Sequence, residues 1–182
     1  MSNVHSLAPA WQVERWFNVS QAPTLESLRG KVIVLEAFQM LCPGCVSHGL
    51  PQVQRVQATF PKDRVAVIGL HSVFEHHSAM TPVSLEAFLH EYRTDFPVAV
   101  DQADARGPLP LTMQAYRMRG TPTLVLIDAQ GRLREQHFGQ VADLVLGAQI
   151  AALMAEAEHD VVLSGSAAAS PAGGCVDGAC AV

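Results

Sequence analysis

The sequence is poor in charged residues, and its basic residues do not cluster. Charged residues make up 16% of the 182 positions, and the formal net charge is −5. Nucleic-acid binding depends on patches of lysine and arginine that displace counterions from phosphates. We therefore expect no nucleic-acid partner. There is also no run of about 18 consecutive apolar residues, so we expect no membrane-spanning helix and no membrane partner.

The N-terminal residues lack the features of a secretory signal. Met1–His5 has neither the basic start nor the following apolar core that such a signal carries. On this ground we expect a cytoplasmic protein.

Cysteine is scarce and falls into two pairs. The four cysteines are Cys42 and Cys45, then Cys175 and Cys180. In a reducing compartment such pairs are more often catalytic or metal-binding than structural. A disulfide scaffold is therefore not expected.

Apolar residues, in contrast, are abundant. They make up 49% of the chain, which is typical of a globular domain with a core large enough to fold without cross-links. Residues 164–174 are small and offer nothing to bury, as in a linker. We predict one domain at 1–160 and a flexible tail at 161–182, which ends in the second cysteine pair.

The most informative stretch is an apolar, β-branched run followed by Cys42–Pro43–Gly44–Cys45. The run predicts a buried strand at 31–38, and the residues after it predict a helix at 42–60, kinked at Pro51. The amides and positive dipole end of a helix stabilise a thiolate at its start. The two-residue spacer lets Cys45 close a disulfide with Cys42. A redox site is therefore favoured over half of a zinc site, which would need further ligands.

Periodicity predicts the other elements. A strand at 64–70 forms a parallel pair with the strand at 31–38 through a right-handed crossover. Two strands at 124–128 and 132–138 form a hairpin. The remaining predicted elements are strands at 11–18 and 96–101, and helices at 81–93, 111–118 and 141–158.

With these residues in view, the chain resembles the thioredoxin superfamily. The resemblance rests on Glu36–Cys45, on Gly120–Pro122 and on the hairpin that follows. The lead-in at 9–30 and the inserted segment at 71–93 resemble the TlpA/redoxin branch. The resemblance implies an α/β fold, a thioredoxin-like three-layer sandwich with a central mixed β-sheet flanked by helices. It also implies a thiol–disulfide oxidoreductase.

The resemblance assigns roles to the site residues. It implies that Cys42 is the nucleophile and Cys45 the resolving thiol. It makes Pro122 a cis-proline that faces the pair, with Thr121 beside it. The residues implied to meet the substrate are Pro43, Gly44, Thr121 and Pro122. No cofactor and no metal are expected.

Glu36 lies six residues before Cys42, where thioredoxins often carry a buried acid. Disulfide exchange needs a base to deprotonate Cys45 when it attacks the mixed disulfide. A carboxylate within an apolar run is costly to bury unless it is used or paired. Glu36 is either this assisting base or a polar group satisfied by its neighbours.

Two residues depart from the family patterns. Leu41 precedes the first cysteine, where the family usually has tryptophan, so the substrate surface is expected to differ. Gln39 occupies the position of the threonine that peroxiredoxins need. A peroxiredoxin-like peroxidase is thus a weaker alternative.

Other polar residues leave alternatives open. Cys175 and Cys180 are a possible secondary redox pair, a soft-metal site or incidental thiols. A histidine-rich loop at 71–77, with His48 on the redox helix, could bind a transition metal. Solvated loop polarity explains the same residues.

We predict a reductase that acts on a protein or small-molecule disulfide or thiol, with an electron donor that the residues do not name. The rival hypothesis is a soft-metal-binding protein on the same scaffold.

Overall fold

The computed structural model describes residues 6–167. Within them, six strands form one sheet in the order β1-β4-β3-β2-β5-β6. Strands β2, β3 and β4 run parallel, and the other three pairings are antiparallel. The strands are β1 Val13–Phe17, β2 Val32–Phe38, β3 Val65–His71, β4 Val98–Asp101, β5 Thr123–Ile127 and β6 Leu133–Phe138. The predicted mixed sheet is confirmed.

Helices cover both faces of this sheet. They are α1 Leu50–Thr59, α2 Pro82–Glu91, α3 Leu111–Ala115 and α4 Asp143–Ala167, and a π-turn at Cys45–Gly49 precedes α1. Of the helices in the described region, none is long and apolar enough to span a bilayer. The arrangement is the predicted three-layer sandwich.

Strand β2 lies at the centre and is buried along its whole length. Because side chains alternate across a strand, Val34 and Phe38 pack on one face and Ile33 and Leu35 on the other. Glu36 has the parity of Val34 and Phe38. It therefore points to the face that carries the π-turn, α1 and α4.

The helix after the first cysteine differs from its prediction. We predict one helix from 42 to 60 with a kink at Pro51, but the structure has a π-turn first, in which the Leu50 N–H donates to the Cys45 carbonyl. Pro51 follows directly on this turn, and helical backbone continues through both from 43 to 59. The wider turn absorbs the irregularity that a mid-helix proline would cause.

The last helix is longer than predicted. It continues to Ala167, whereas the sequence pattern predicts an end at 158. Once a helix is nucleated, each further residue adds a hydrogen bond at little cost. Cys175 and Cys180 lie outside the described residues, so the predicted tail and its boundary stay predictions.

Candidate active site

The structure contains a disulfide between Cys42 and Cys45, with the two Cα atoms 5.2 Å apart. The Cys45 N–H points at Cys42 Sγ at 3.2 Å. Cys45 is fully buried, whereas Cys42 is partly exposed. The Cys42 sulfur is therefore the one that another molecule can reach, and a helical amide is in place to stabilise negative charge on it.

The loop before β5 packs directly against this disulfide. The Thr121–Pro122 peptide bond is cis, and Cys42 Sγ lies 3.5 Å from the Thr121 carbonyl oxygen. A Cβ atom built on Gly44 would be 3.4 Å from Pro122 Cδ. The Gly139 N–H donates to the Pro122 carbonyl at 2.9 Å and ties this loop to the end of β6. The structure thus brings the predicted cysteines and the Thr121–Pro122 loop together.

Glu36 is also part of this site. Its side chain is 1% exposed, and Oε1 has no hydrogen-bond partner among the described residues. Burial disfavours the charged carboxylate and raises the pKa of Glu36 from 4.5 to about 8. A carboxyl group with this pKa exchanges protons near neutral pH, close to the ordinary value for a cysteine thiol.

A cavity of about 510 Å³ opens in front of Glu36. It lies between the π-turn, the Thr121–Pro122 loop and the start of α4, and Gly44, Gly49 and Pro122 line it. Gln52 closes one side, because its Nε2 donates to the Val141 carbonyl at 2.8 Å. Glu36 therefore lines the same cavity as Gly44, which directly precedes Cys45.

The two departures from the family patterns have different surroundings. Leu41 is 57% exposed beside the partly exposed sulfur. Gln39 is buried, and its Oε1 accepts a hydrogen bond from the Phe74 N–H at 3.4 Å. Its Nε2 donates over 3.5 Å to Thr121 Oγ1. Gln39 thus joins the 72–81 loop to the Thr121–Pro122 loop.

The histidines predicted as a possible metal cluster are not brought together. His76 and His77 are exposed on the loop, whereas His71, predicted in that loop, is the last residue of β3 and fully buried. In the part of the chain that the structure describes, no three metal-binding side chains converge.

His71 packs beside Phe38, with ring centroids 5.3 Å apart. Neither ring nitrogen has a partner among the described residues. Burial lowers the pKa of His71 from 6.5 to about 4, so the ring is neutral at physiological pH.

Sequence reasoning missed Gly49. The signal that could have identified it is a glycine inside a predicted helix, away from any turn. Glycine destabilises a helix, so its presence there suggests a close contact that excludes a side chain. The structure places Gly49 against Glu36.

Known proteins resemble this chain in sequence and in fold. The sequence matches the AhpC/TSA family over residues 4–136. A thioredoxin-like superfamily protein of known crystal structure is 63% identical, with a TM-score of 0.81, over 82% of this chain and 96% of its own. A thiol-disulfide isomerase from Corynebacterium glutamicum is 49% identical, with a TM-score of 0.78, over 81% of this chain and 96% of its own.

A third relative is larger than this chain. DipZ of Mycobacterium bovis is 29% identical over 127 residues, 69% of this chain, which spans only 17% of the length of DipZ. Together with the six-stranded sheet, these likenesses confirm the predicted thioredoxin-superfamily fold and its redoxin branch. Since the matched residues 4–136 are well over half of the 182, the chain belongs to the AhpC/TSA family.

Proposed function

We propose that this protein reduces disulfides, with Cys42 as nucleophile, Cys45 as resolving thiol and Glu36 as the base that serves Cys45. The observation that carries the proposal is a disulfide at the start of a helix with one sulfur partly exposed and the other buried. The predicted class of enzyme, a thiol–disulfide oxidoreductase, is confirmed by this disulfide, the family match and the isomerase likeness.

In the proposed reaction the Cys42 thiolate attacks one sulfur of a substrate disulfide. A mixed disulfide forms, and the other substrate sulfur leaves as a thiolate that takes up a proton. The Cys45 thiolate then attacks Cys42 Sγ, which breaks the mixed disulfide and closes Cys42–Cys45. Two electrons pass from the protein to the substrate, and an external dithiol must return them.

Glu36 is proposed to take the proton from Cys45 in the second step. The carboxyl group is buried and its Oε1 has no partner, so it is not a polar group already satisfied by its neighbours. A pKa of about 8 supports the role, because a base works best when its pKa lies near the working pH.

Substrate contacts are proposed for the surface around the exposed sulfur. The residues proposed to meet the substrate are Pro43, Gly44, Thr121 and Pro122. The Thr121 carbonyl lies 3.5 Å from Cys42 Sγ and can accept a hydrogen bond from an extended peptide docked there. Leu41, at 57% exposure, adds an apolar contact that suits a protein substrate.

The direction of electron flow follows from the proposed cytoplasmic location, where thiols are kept reduced. Fractionation of cells that express the full chain would test the location. Titration of the Cys42–Cys45 pair against a glutathione buffer would test the direction, since a reductase must have a potential below that of the disulfide it reduces.

Trapping of the substrate is the decisive experiment. The Cys45→Ser variant cannot resolve the mixed disulfide, so we expect proteins linked through Cys42 to accumulate and be identified by mass spectrometry. The Cys42→Ser variant is the control and should trap nothing. Tight stoichiometric metal without any trapped disulfide would favour the soft-metal hypothesis instead. Peroxide consumption that depends on Cys42, again without trapping, would favour a peroxidase.

The second cysteine pair is kept as a proposed secondary redox pair. Helix α4 begins with Asp143 at the cavity, and its 25 residues span about 37 Å. Cys175 lies eight residues past Ala167, a reach of at most about 29 Å. Gel mobility of the trapped product would show whether a Cys42–Cys175 disulfide lies within one chain or joins two.

A further inference from the structure

We propose that Gly49 is a positioning residue. Because Gly49 has no side chain, the Glu36 carboxyl group has room to keep the position that it needs to serve Cys45. The inference rests on the proposed role of Glu36 as base. It adds a specific steric requirement: the residue at 49 must have no Cβ atom if the acid on β2 is to keep its position.

The evidence is the space around Gly49. A Cβ atom built there would overlap Glu36 Oε1, and it would lie 3.2 Å from Glu36 Cδ and 3.3 Å from Pro122 Cβ. Because Pro122 already lies close to the new Cβ atom, the helix cannot shift towards the proline, and the Glu36 carboxyl group would have to move instead. Oε1 has no hydrogen-bond partner among the described residues, and only packing fixes its position.

The backbone does not require glycine at this position. Gly49 has φ −58° and ψ −60°, ordinary right-handed helical values that any residue adopts. In such a place glycine weakens a helix relative to alanine, so its presence needs another cause. Contact with Glu36 and Pro122 is the cause that the structure supplies.

A second helical glycine provides the matched control. Gly147 lies within α4, and a Cβ atom built on it would meet nothing within 4 Å. Alanine at 147 should therefore leave the reaction unchanged, whereas alanine at 49 should displace Glu36.

The consequence concerns one step of the reaction. Cys42 attacks the substrate without the help of Glu36, but Cys45 must give up its proton before it resolves the mixed disulfide. Displacement of a catalytic group by about 1 Å can cost on the order of 100-fold in rate. Alanine at 49 should thus slow resolution and spare the first attack.

Shortening the acid should abolish the effect of the added methyl group. Aspartate lacks one methylene of glutamate, so its carboxyl group would withdraw from the position that the new Cβ atom occupies. We expect Glu36→Asp alone to slow resolution, and Gly49→Ala to slow it no further in that background. A merely structural role for Gly49 would predict the same slowing in both backgrounds.

The experiment uses the reduced full chain and the disulfide dithio-bis-nitrobenzoate as the probe. Each molecule of probe releases one coloured thiol when Cys42 attacks and a second when Cys45 resolves, so stopped-flow absorbance separates the two steps. We expect Gly49→Ala to keep the first rate and lose on the order of 100-fold in the second. Glu36→Asp/Gly49→Ala should resolve at the same rate as Glu36→Asp alone, and Gly147→Ala should match the parent.

Two results would overturn the inference. One is a second rate in Gly49→Ala equal to that of the parent. The other is the same slowing by Gly49→Ala in a Glu36→Gln background, which would make the effect independent of the acid. If Glu36→Gln alone leaves the second rate unchanged, the proposed base is wrong and the inference falls with it. If Gly49→Ala does not fold, the comparison of Glu36→Asp with Glu36→Asp/Gly49→Ala decides: the added alanine must not slow resolution.

Discussion

Glu36 and His71 lie on neighbouring parallel strands, and both are buried titratable side chains with unpartnered polar atoms, but their surroundings differ. On these strands Glu36 pairs with Gly69, and His71 pairs with Phe38. Both side chains are buried, and both have polar atoms without partners among the described residues. Glu36 faces a cavity of about 510 Å³ beside the disulfide, whereas His71 packs against the Phe38 ring.

The difference is one of access. A buried titratable group can exchange protons in a reaction only if the reacting atoms or solvent reach it. Glu36 lines the cavity next to the Thr121–Pro122 loop, and we expect protons to reach it there. The His71 ring packs against Phe38 within the core, so we expect its shifted pKa to affect stability alone. A perturbed pKa therefore marks a functional group only together with an open path to the chemistry.

The largest effect that tests this comparison is kinetic. Glu36→Gln keeps the shape of the side chain and removes the base, so resolution of the mixed disulfide should slow by on the order of 100-fold or more. In the parent the resolution rate should rise with pH up to about 8, where Glu36 loses its proton, and the variant should lose this inflection. The second thiol release of the nitrobenzoate assay measures both.

His71→Gln is the matched variant for this test. It should leave both release steps at the parental rate across the same pH range. Equal slowing by the two substitutions would show that access does not separate the two groups, and the comparison would fail.

How much the sequence predicts can be judged from the same residues. The central strand and the disulfide follow from a β-branched run and a two-residue spacer, both local patterns. The placement of Glu36 before Cys42 was also readable. The proposed base and the proposed nucleophile are therefore local features of one strand–helix unit.

Features that depend on distant parts of the chain were not predictable. His71 was predicted in a loop, but β3 extends to it because it pairs with Phe38 of β2. The contact of Gly49 with Glu36 joins two elements whose spacing carries no periodic signal. Tertiary packing decides each of these.

The next effect is a loss of folding stability as the pH rises, which we assign to Glu36. Glu36 has a folded pKa of about 8 against 4.5 in the unfolded chain. The unfolded state therefore loses its proton first, and the contribution of Glu36 to the free energy of unfolding falls as pH rises from about 4.5 to 8. Below about pH 6.5 the opposite contribution of His71 offsets it, so the parent protein shows the fall between about pH 6.5 and 8. The total contribution of Glu36 is on the order of 5 kcal/mol. Chemical denaturation of the oxidised protein at several pH values should show this slope, and Glu36→Gln should flatten it.

A slope that survives Glu36→Gln would mean that the carboxyl group is not the source. Glu75→Gln supplies the control, since Glu75 is an exposed acid on the 72–81 loop. It should reproduce the parental curve.

The smallest effect is a loss of folding stability as the pH falls, which we assign to His71. Its folded pKa of about 4 lies below the ordinary 6.5, so the unfolded state binds the proton first as the pH falls. The contribution of His71 to the free energy of unfolding should thus decrease by on the order of 3 kcal/mol between about pH 6.5 and 4. Because the contribution of Glu36 has the opposite sign above about pH 4.5, the full decrease should be measured in the Glu36→Gln background. His71→Leu, which has similar volume and no ring nitrogens, should unfold at a higher denaturant concentration than the parent at pH 5. His159→Gln, at an exposed position on α4, should not change the curve. Loss of disulfide reduction in His71→Leu would overturn the comparison, because it would give the enclosed histidine a part in the reaction.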